Sequence, residues 1–219
     1  MTKRIIIGVV AILVLVGGVG AYLVARDDDK SNNSSENTSQ TGDQQSAGNN
    51  DFAPVATKGL PFVATFTTTT QSGNNEAKIE HDGKDRTRYV ATQNGQQIEM
   101  IFTSDTYYLC SGTSDCIKYP VSQPSSSGIN PADYQYDEQK LGDYKNNAIN
   151  KGRQDCPAGT CDVWSVDSDG VSSTIFIDTK TKRISQVETS QAEATSKIVY
   201  EYKDVTINIP ANAQSIPTQ

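Results

Sequence analysis

An uninterrupted apolar run, Ile5 to Val24, follows Lys3-Arg4 and precedes Arg26-Asp27-Asp28-Asp29. At about 20 residues and about 1.5 Å of rise per residue, a helix over it is long enough to cross a bilayer core of roughly 30 Å. The sequence therefore predicts a transmembrane segment at 5–25, with everything downstream held at a membrane. Lys3 and Arg4 precede the run and an acidic cluster follows it, so positive charge stays on the cytoplasmic side. That places 1–4 inside and the long remainder outside, a single-pass arrangement in the plasma membrane. A cleaved signal peptide is the competing reading, with Val19 and Ala21 as the small residues of a cleavage site. The run continues past that site through Tyr22-Leu23-Val24, which favours an uncleaved signal anchor.

Residues 26–54 are Ser, Asn, Gln, Thr, Gly and acid, with almost no large apolar side chain. Such a composition buries too little surface to offset the entropy of ordering it. The segment reads as a disordered polar linker that, as a flexible coil, holds the next domain roughly 30 Å from the membrane.

Residues 55–219 have the size of one domain, and their pattern is mainly β. Asp82-Gly83, Asn94-Gly95 and Asp169-Gly170 each separate strand-like runs, the pairing that tight hairpin turns prefer. Around them strands are predicted at Phe62–Thr70, Ala77–His81, Arg86–Gln93, Gln97–Thr103, Thr106–Cys110 and Cys116–Tyr119. A second set follows at Cys161–Val166, Ser172–Asp178, Arg183–Thr189, Ser196–Tyr202 and Val205–Ile209. The short connections suit a meander.

Leu60, Phe62, Ala64 and Phe66 share one face, as do Ile98, Met100 and Phe102, and Ile198, Tyr200 and Tyr202. Gln97, Glu99, Lys197 and Glu201 fall between them, the rhythm of a sheet with one apolar and one solvated face. A long antiparallel sheet curls, and its concave side needs a cover. Pro131–Lys151 is the expected cover, with a helix-compatible stretch from Tyr134 to Ile149 that is short or split near Gly142. The fold class expected is a mainly β (α+β) chain: a curved antiparallel half-barrel of about ten to eleven strands with a short helical cover, after one transmembrane helix.

The four cysteines fall in two close pairs, and an even count outside the membrane reads first as disulfides. Of three possible connectivities, Cys110–Cys116 with Cys156–Cys161 is favoured, fixing loop ends near one rim of the sheet. A zinc site fits poorly, because the first pair is spaced too widely for paired ligands. Neither pair has redox-active Cys-x-x-Cys spacing.

Phe62–Phe66, then the turn Asp82-Gly83-Lys84-Asp85-Arg86, then Thr103-Ser104-Asp105-Thr106-Tyr107-Tyr108-Leu109 resemble the bacterial periplasmic lipoprotein-carrier superfamily, the LolA/LolB-like carriers and related mycobacterial cell-envelope lipoproteins. Cys161-Asp162-Val163-Trp164, Ile175-Phe176-Ile177-Asp178 and Ile198-Val199-Tyr200-Glu201-Tyr202 leading to Ile207-Asn208-Ile209-Pro210 continue the resemblance, which spans Leu60 to Pro210. It implies a curved half-barrel closed by helices around an apolar cavity for acyl chains. Two departures stand out. The helix that opens such carriers is replaced by a short stretch, Phe52–Thr57, with Pro54 inside it. A chain fixed by a membrane helix also cannot ferry cargo across a wide space.

No constellation here names a reaction, and the chain reads as a non-enzyme. His81, beside Asp82-Gly83, reads as a turn residue, and no serine sits in a nucleophile elbow. Asp167-Ser168-Asp169-Gly170 begins like a calcium loop but lacks the closing acid, so it reads as a hairpin turn. No cofactor or metal is expected. The net charge of −7 argues against nucleic acid as a partner. Tyr107, Tyr108, Tyr134, Tyr136 and Tyr144 suit core and edge positions with polar tips. The expected function is binding of a lipid or other apolar ligand, with Phe62, Phe66, Met100, Phe102, Trp164, Tyr200 and Tyr202 lining the concavity. The alternative is a surface-displayed structural or protein-interaction module with a solid core.

Overall fold

The structure, a computed structural model, describes residues 51–71, 73–93, 96–111, 115–120, 131–168, 171–191 and 194–215. The expected span at 5–25 and nearly all of the linker lie outside them. No helix among the described residues is long and apolar enough to cross a membrane.

Six strands come first: β1 (Pro61–Thr70), β2 (Gly73–Asp82), β3 (Thr87–Gln93), β4 (Gln96–Phe102), β5 (Thr106–Ser111) and β6 (Asp115–Pro120). A 3₁₀ turn (Pro131–Tyr134) and a helix α1 (Glu138–Lys145) follow. The chain then returns to strands: β7 (Ala148–Cys156), β8 (Gly159–Ser168), β9 (Val171–Asp178), β10 (Ile184–Gln191), β11 (Ala194–Glu201) and a two-residue β12 (Gln214–Ser215). All twelve join one curved, unclosed sheet in the order β12-β6-β5-β4-β3-β2-β1-β11-β10-β9-β8-β7.

The sheet is not the single meander expected. It is two meanders, β1–β6 and β7–β11, sealed where β1 runs antiparallel to β11 from Val63↔Glu201 to Thr69↔Thr195. The first and last long strands thus become the centre, and the middle of the sequence supplies the two ends. β12 adds to β6 in parallel, through Gln214↔Ile117 and Ser215↔Lys118.

Local chemistry sets the turns. Asp82 accepts from the backbone N–H of Lys84 and Arg86 at 2.9 and 3.1 Å, and Gly83 sits at φ +78. A Cβ there would meet Pro61 at 2.9 Å, so glycine alone fits. Asp178 closes the β9–β10 turn in the same way, accepting from Lys180 N and from Thr181 N and Oγ1. Asn94-Gly95 and Asp169-Gly170 lie outside the described residues. The strands beside them pair as hairpins, Gln93↔Gln96 and Ser168↔Val171.

Several expectations are corrected. The helix ends at Lys145, where Asn146 and Asn147 favour leaving a helix, and residues 148–156 form β7. Gly142 lies within α1 and does not split it. Residues 205–209 carry no strand, although Ile207 is buried and its carbonyl accepts from Arg86 Nη1 at 3.1 Å. His81 is not a turn residue: it is the last inward-facing residue of β2, 3% exposed, with Nδ1 3.0 Å from Thr87 Oγ1. The folded part also takes in Phe52, upstream of the expected start at Val55.

Both expected disulfides form, but at opposite ends of the sheet. Cys110–Cys116 joins directly opposed residues of β5 and β6, and Cys156–Cys161 ties β7 to β8. Each braces a hairpin near a sheet end: β7–β8 has a neighbour only at β9, and β5–β6 lies between β4 and the two-residue β12. All four cysteines are used, so none is left for zinc.

Candidate functional site

Strand pairing sorts the side chains into rows that cross the sheet. One row on the inner face is aromatic and polar-tipped: Phe62, His81, Thr87, Phe102, Tyr107 and Tyr119 stand opposite one another from β1 to β6. Tyr107 and Tyr119 stack at 4.7 Å with planes 7° apart, and Phe102 lies 6.2 Å from Tyr107. The next row is Ala64, Ile79, Tyr89, Met100, Leu109 and Ile117. A third runs from Ile98 through Ala91, Ala77 and Phe66 to Ile198, Val187, Ile175 and Trp164. It crosses eight neighbouring strands, roughly 33 Å of sheet at about 4.8 Å per strand.

Charge is segregated. Within β1–β4 and β9–β11, no described inner position holds Asp, Glu, Lys or Arg. Lys78, Glu80, Arg88, Glu99, Glu188, Lys197 and Glu201 all alternate to the outer face. There Arg88 donates to Glu99 at 2.8 and 3.0 Å and to Glu80 at 3.1 Å. Burial lifts the Glu80 carboxyl, but Lys78 and Arg88 outweigh it and hold the group below its ordinary value.

A roof covers part of the inner face. Tyr134 meets Phe66 edge-on at 5.4 Å, and Tyr136 meets Tyr200 at 5.9 Å, with the Tyr200 hydroxyl donating to that of Tyr136 at 3.4 Å. α1 is started by Asp137, whose side chain accepts from Lys140 N at 2.9 Å, and it buries Leu141. A strap formed by residues 51–60 locks this roof. Thr57 N and Lys58 N donate to Tyr136 O at 2.7 and 3.1 Å, and Val55 N donates to Lys182 O at 2.7 Å. At the strap's start Phe52 sits edge-on to Trp164 at 5.4 Å.

Burial shifts the tyrosines and the histidine of this face toward their neutral forms. Burial raises the phenols of Tyr134, Tyr136, Tyr200 and Tyr202, and pushes Tyr89 up to about 12. Burial also lowers His81 against the opposing pull of Asp82 and the Arg86 carbonyl. On the roof, Lys140 donates to Asp133 O at 2.7 Å and lies 4.7 Å above the Tyr136 ring. Burial depresses its ammonium, and Asp133 and Asp137 oppose that.

Of the residues expected to line the concavity, Phe62, Phe66, Met100, Phe102, Trp164 and Tyr200 all occupy the inner face. Tyr202 lies just past β11, stacked 6.1 Å from Tyr200, its hydroxyl donating to Ile184 O at 2.9 Å. Phe62, Trp164 and Tyr200 are buried by neighbouring rings and the strap or roof. Phe66, Ile198, Val187 and Ile98 stay half-buried beside them, an apolar lane that reaches solvent. Sequence reasoning missed Tyr89, 0% exposed on β3, whose hydroxyl has no hydrogen-bond partner among the described residues. It also missed Phe52 as a core residue, because Pro54 and the polar tether hid it.

No protein-family model matches the chain, and no curated protein matches it. Among solved structures, LprF from Mycobacterium bovis is 17% identical, with 71% of this chain and 92% of that one covered and a TM-score of 0.48. The lipoprotein LppX of Mycobacterium tuberculosis is 13% identical, covers 69% and 92%, and has a TM-score of 0.48. The MucA/MucB complex of Pseudomonas aeruginosa is 15% identical, covers 65% and 50%, and has a TM-score of 0.40. The likeness to these chains is one of structure alone. At these identities and scores it does not carry any neighbour's role to this chain.

Proposed function

We propose that this chain is a membrane-tethered, extracytoplasmic binding protein that takes a lipid or other apolar ligand on the inner face of its sheet. The observation that carries the reading is the charge-free apolar row that crosses eight strands and stays half-open at Phe66, Ile198, Val187 and Ile98. A face that only packed a core would be covered throughout, whereas here Ile98, Phe66, Ile198 and Val187 stay half-buried, which favours an occupant.

On this reading 5–25 anchors the chain, 26–54 spaces the domain from the bilayer, and the protein binds without catalysing a reaction. The alternative, a display module with a solid core, is favoured only where the strap and roof are packed, around Trp164 and Tyr200.

The test starts from residues 45–219, so that Phe52 is kept, made in an oxidising compartment. Solvent extraction and mass spectrometry should reveal a stoichiometric apolar molecule, and a fluorescent fatty-acid probe should bind. Ile198→Asp should abolish probe binding while leaving the disulfides and the melting transition intact. An empty domain that ignores the probe would leave the display module as the better account.

A further inference from the structure

The two ends of the sheet are finished differently. β7 closes one with a bulge between Asn150 and Gly152 and with Lys151 and Arg153, features that resist pairing. Toward the other end β6 is a regular strand, paired with β5 without a register shift from Thr106↔Pro120 to Ser111↔Asp115. Its far side already carries a strand, because β12 lies there in parallel. β12 is two residues long, both exposed, and it meets only Ile117 and Lys118. The other described pairings in the sheet are antiparallel, and parallel pairing is the weaker kind per residue. The rows of the inner face also run out at β6. Tyr119 stacks on Tyr107 at 4.7 Å, Ile117 stands opposite Leu109, and both Tyr119 and Ile117 are half-buried. Asp115, next on that face, is exposed. On the outer face Lys118 is exposed, opposite Tyr108 and without an ion pair among the described residues.

We propose that the β6 edge is a docking site for an extended segment of a partner protein, which adds antiparallel to β6 and displaces β12. The partner segment reads, from its N-terminus, aromatic, acid, aliphatic, hydroxyl residue, base. Antiparallel addition sets these against Tyr119, Lys118, Ile117, Cys116 and Asp115 in turn. The aromatic and aliphatic residues continue the two inner rows, the acid meets Lys118 on the outer face, and the base meets Asp115. Cross-strand pairs of these kinds favour pairing, and the backbone hydrogen bonds of an added strand supply affinity. β12 is then a placeholder that keeps the edge covered until a segment with more pairs to offer replaces it. The chain has slack for this exchange. Residues 202–213, between β11 and β12, hold no strand or helix. Ile207, buried and with its carbonyl bound by Arg86 Nη1, pins that stretch upstream of β12, so β12 can leave without disturbing the core. The docking site is independent of ligand binding on the inner face.

The experiment uses the full chain in a zwitterionic detergent and a fluorescein-labelled peptide, Thr-Tyr-Glu-Val-Thr-Lys-Thr, with binding read by fluorescence anisotropy. The wild type should bind the peptide. A chain ending at Ala213 should bind it about tenfold more tightly, the worth of one to two net hydrogen bonds that need no longer be displaced. Gln214→Pro with Ser215→Pro keeps the chain length and should match the shortened chain. Lys118→Glu should weaken binding about threefold, the size of an exposed ion pair, and a peptide with Lys in place of Glu should recover the loss. N-methylation of alternate peptide residues blocks one edge of a strand at a time, so one methylated set should lose binding and the other keep it. Equal binding by both methylated sets, or loss by both, overturns strand addition. Unchanged affinity in the shortened chain and in the proline variant overturns the sharing of this edge with β12. A Lys118→Glu chain that ranks the two peptides as the wild type does overturns the pattern assigned to the partner. A peptide that neither the wild type nor the shortened chain binds overturns the docking site itself.

Discussion

Truncating Phe52 to alanine tests whether the strap is part of the core. The ring is 1% exposed and meets Trp164, 4% exposed, edge-on at 5.4 Å. Deleting a fully buried Phe side chain costs about 3–5 kcal/mol, including its aromatic contact and the cavity left behind. The low end applies here, because the strap can relax toward the gap while Val55, Thr57 and Lys58 keep their backbone bonds. A loss of about 3 kcal/mol lowers the melting temperature of a domain this size by roughly 6–12 °C. The chain has a single tryptophan, so its emission reports on the site itself. Urea and thermal unfolding of residues 45–219, followed by Trp164 fluorescence, should show the lower midpoint and a red-shifted native spectrum. A Phe52→Ala domain within about 0.5 kcal/mol of wild type, with unshifted emission, would refute the reasoning. The strap would then lie on the domain without helping to form it.

Stability should fall with acid in a way that His81 controls. Its folded value is depressed, so the unfolded chain takes the proton first, and stability drops as the pH falls below about 6.5 until folded His81 also protonates. His81→Asn should flatten urea midpoints between pH 8 and 5, and identical slopes in the two proteins would exclude the residue as the cause. Each disulfide closes a short loop, with separations of 6 and 5, so replacing either pair by serine should cost about 2–2.5 kcal/mol. Hydrogen exchange should quicken in the affected hairpin alone, β5–β6 or β7–β8, and loosening of both would show that the edges are coupled. Arg88→Ala strips the shared cation from Glu80 and Glu99. With the Arg88 side chain 33% exposed, the cost should be about 1–2 kcal/mol, measured by urea unfolding and recovered by adding Glu80→Gln and Glu99→Gln. No recovery would place the effect in packing.

The long strands were legible because apolar side chains recur at every second position on the inner face, most cleanly in β2 and β3, where burial alternates. Phe62, Ala64 and Phe66 alternate with Val63 and Thr65, and a one-residue slip would turn the whole set to water. β7 was not legible. As an edge strand it is almost wholly exposed, reading Ala-Ile-Asn-Lys-Gly-Arg-Gln-Asp-Cys, with a bulge between Asn150 and Gly152 and Gly152 at φ +87. Lys151, Arg153 and the bulge discourage edge-to-edge pairing, and those features erase the alternation that marks a strand. Ile207 and Ile209 misled in the other direction. Alternating apolar residues read as a strand, but Ile207 is buried as a loop anchor under Arg86 without pairing in the sheet.

The site was half legible for a related reason. A sequence gives the face of each residue through period two, but rows across a sheet exist only once register and strand order are set. Closing β1 on β11 places Phe66 opposite Ile198, and two cross-strand steps more reach Ile175, residues more than a hundred positions away in the chain. The same closure turns Phe66, Ile198, Val187 and Ile175 from scattered strand residues into one line. Their face was visible from the start as alternation. Their position is not: only the seam between the two meanders joins them into one row on the charge-free side. Function at this surface would therefore depend most on residues at the β1–β11 seam, whose individual identities look unremarkable in the chain.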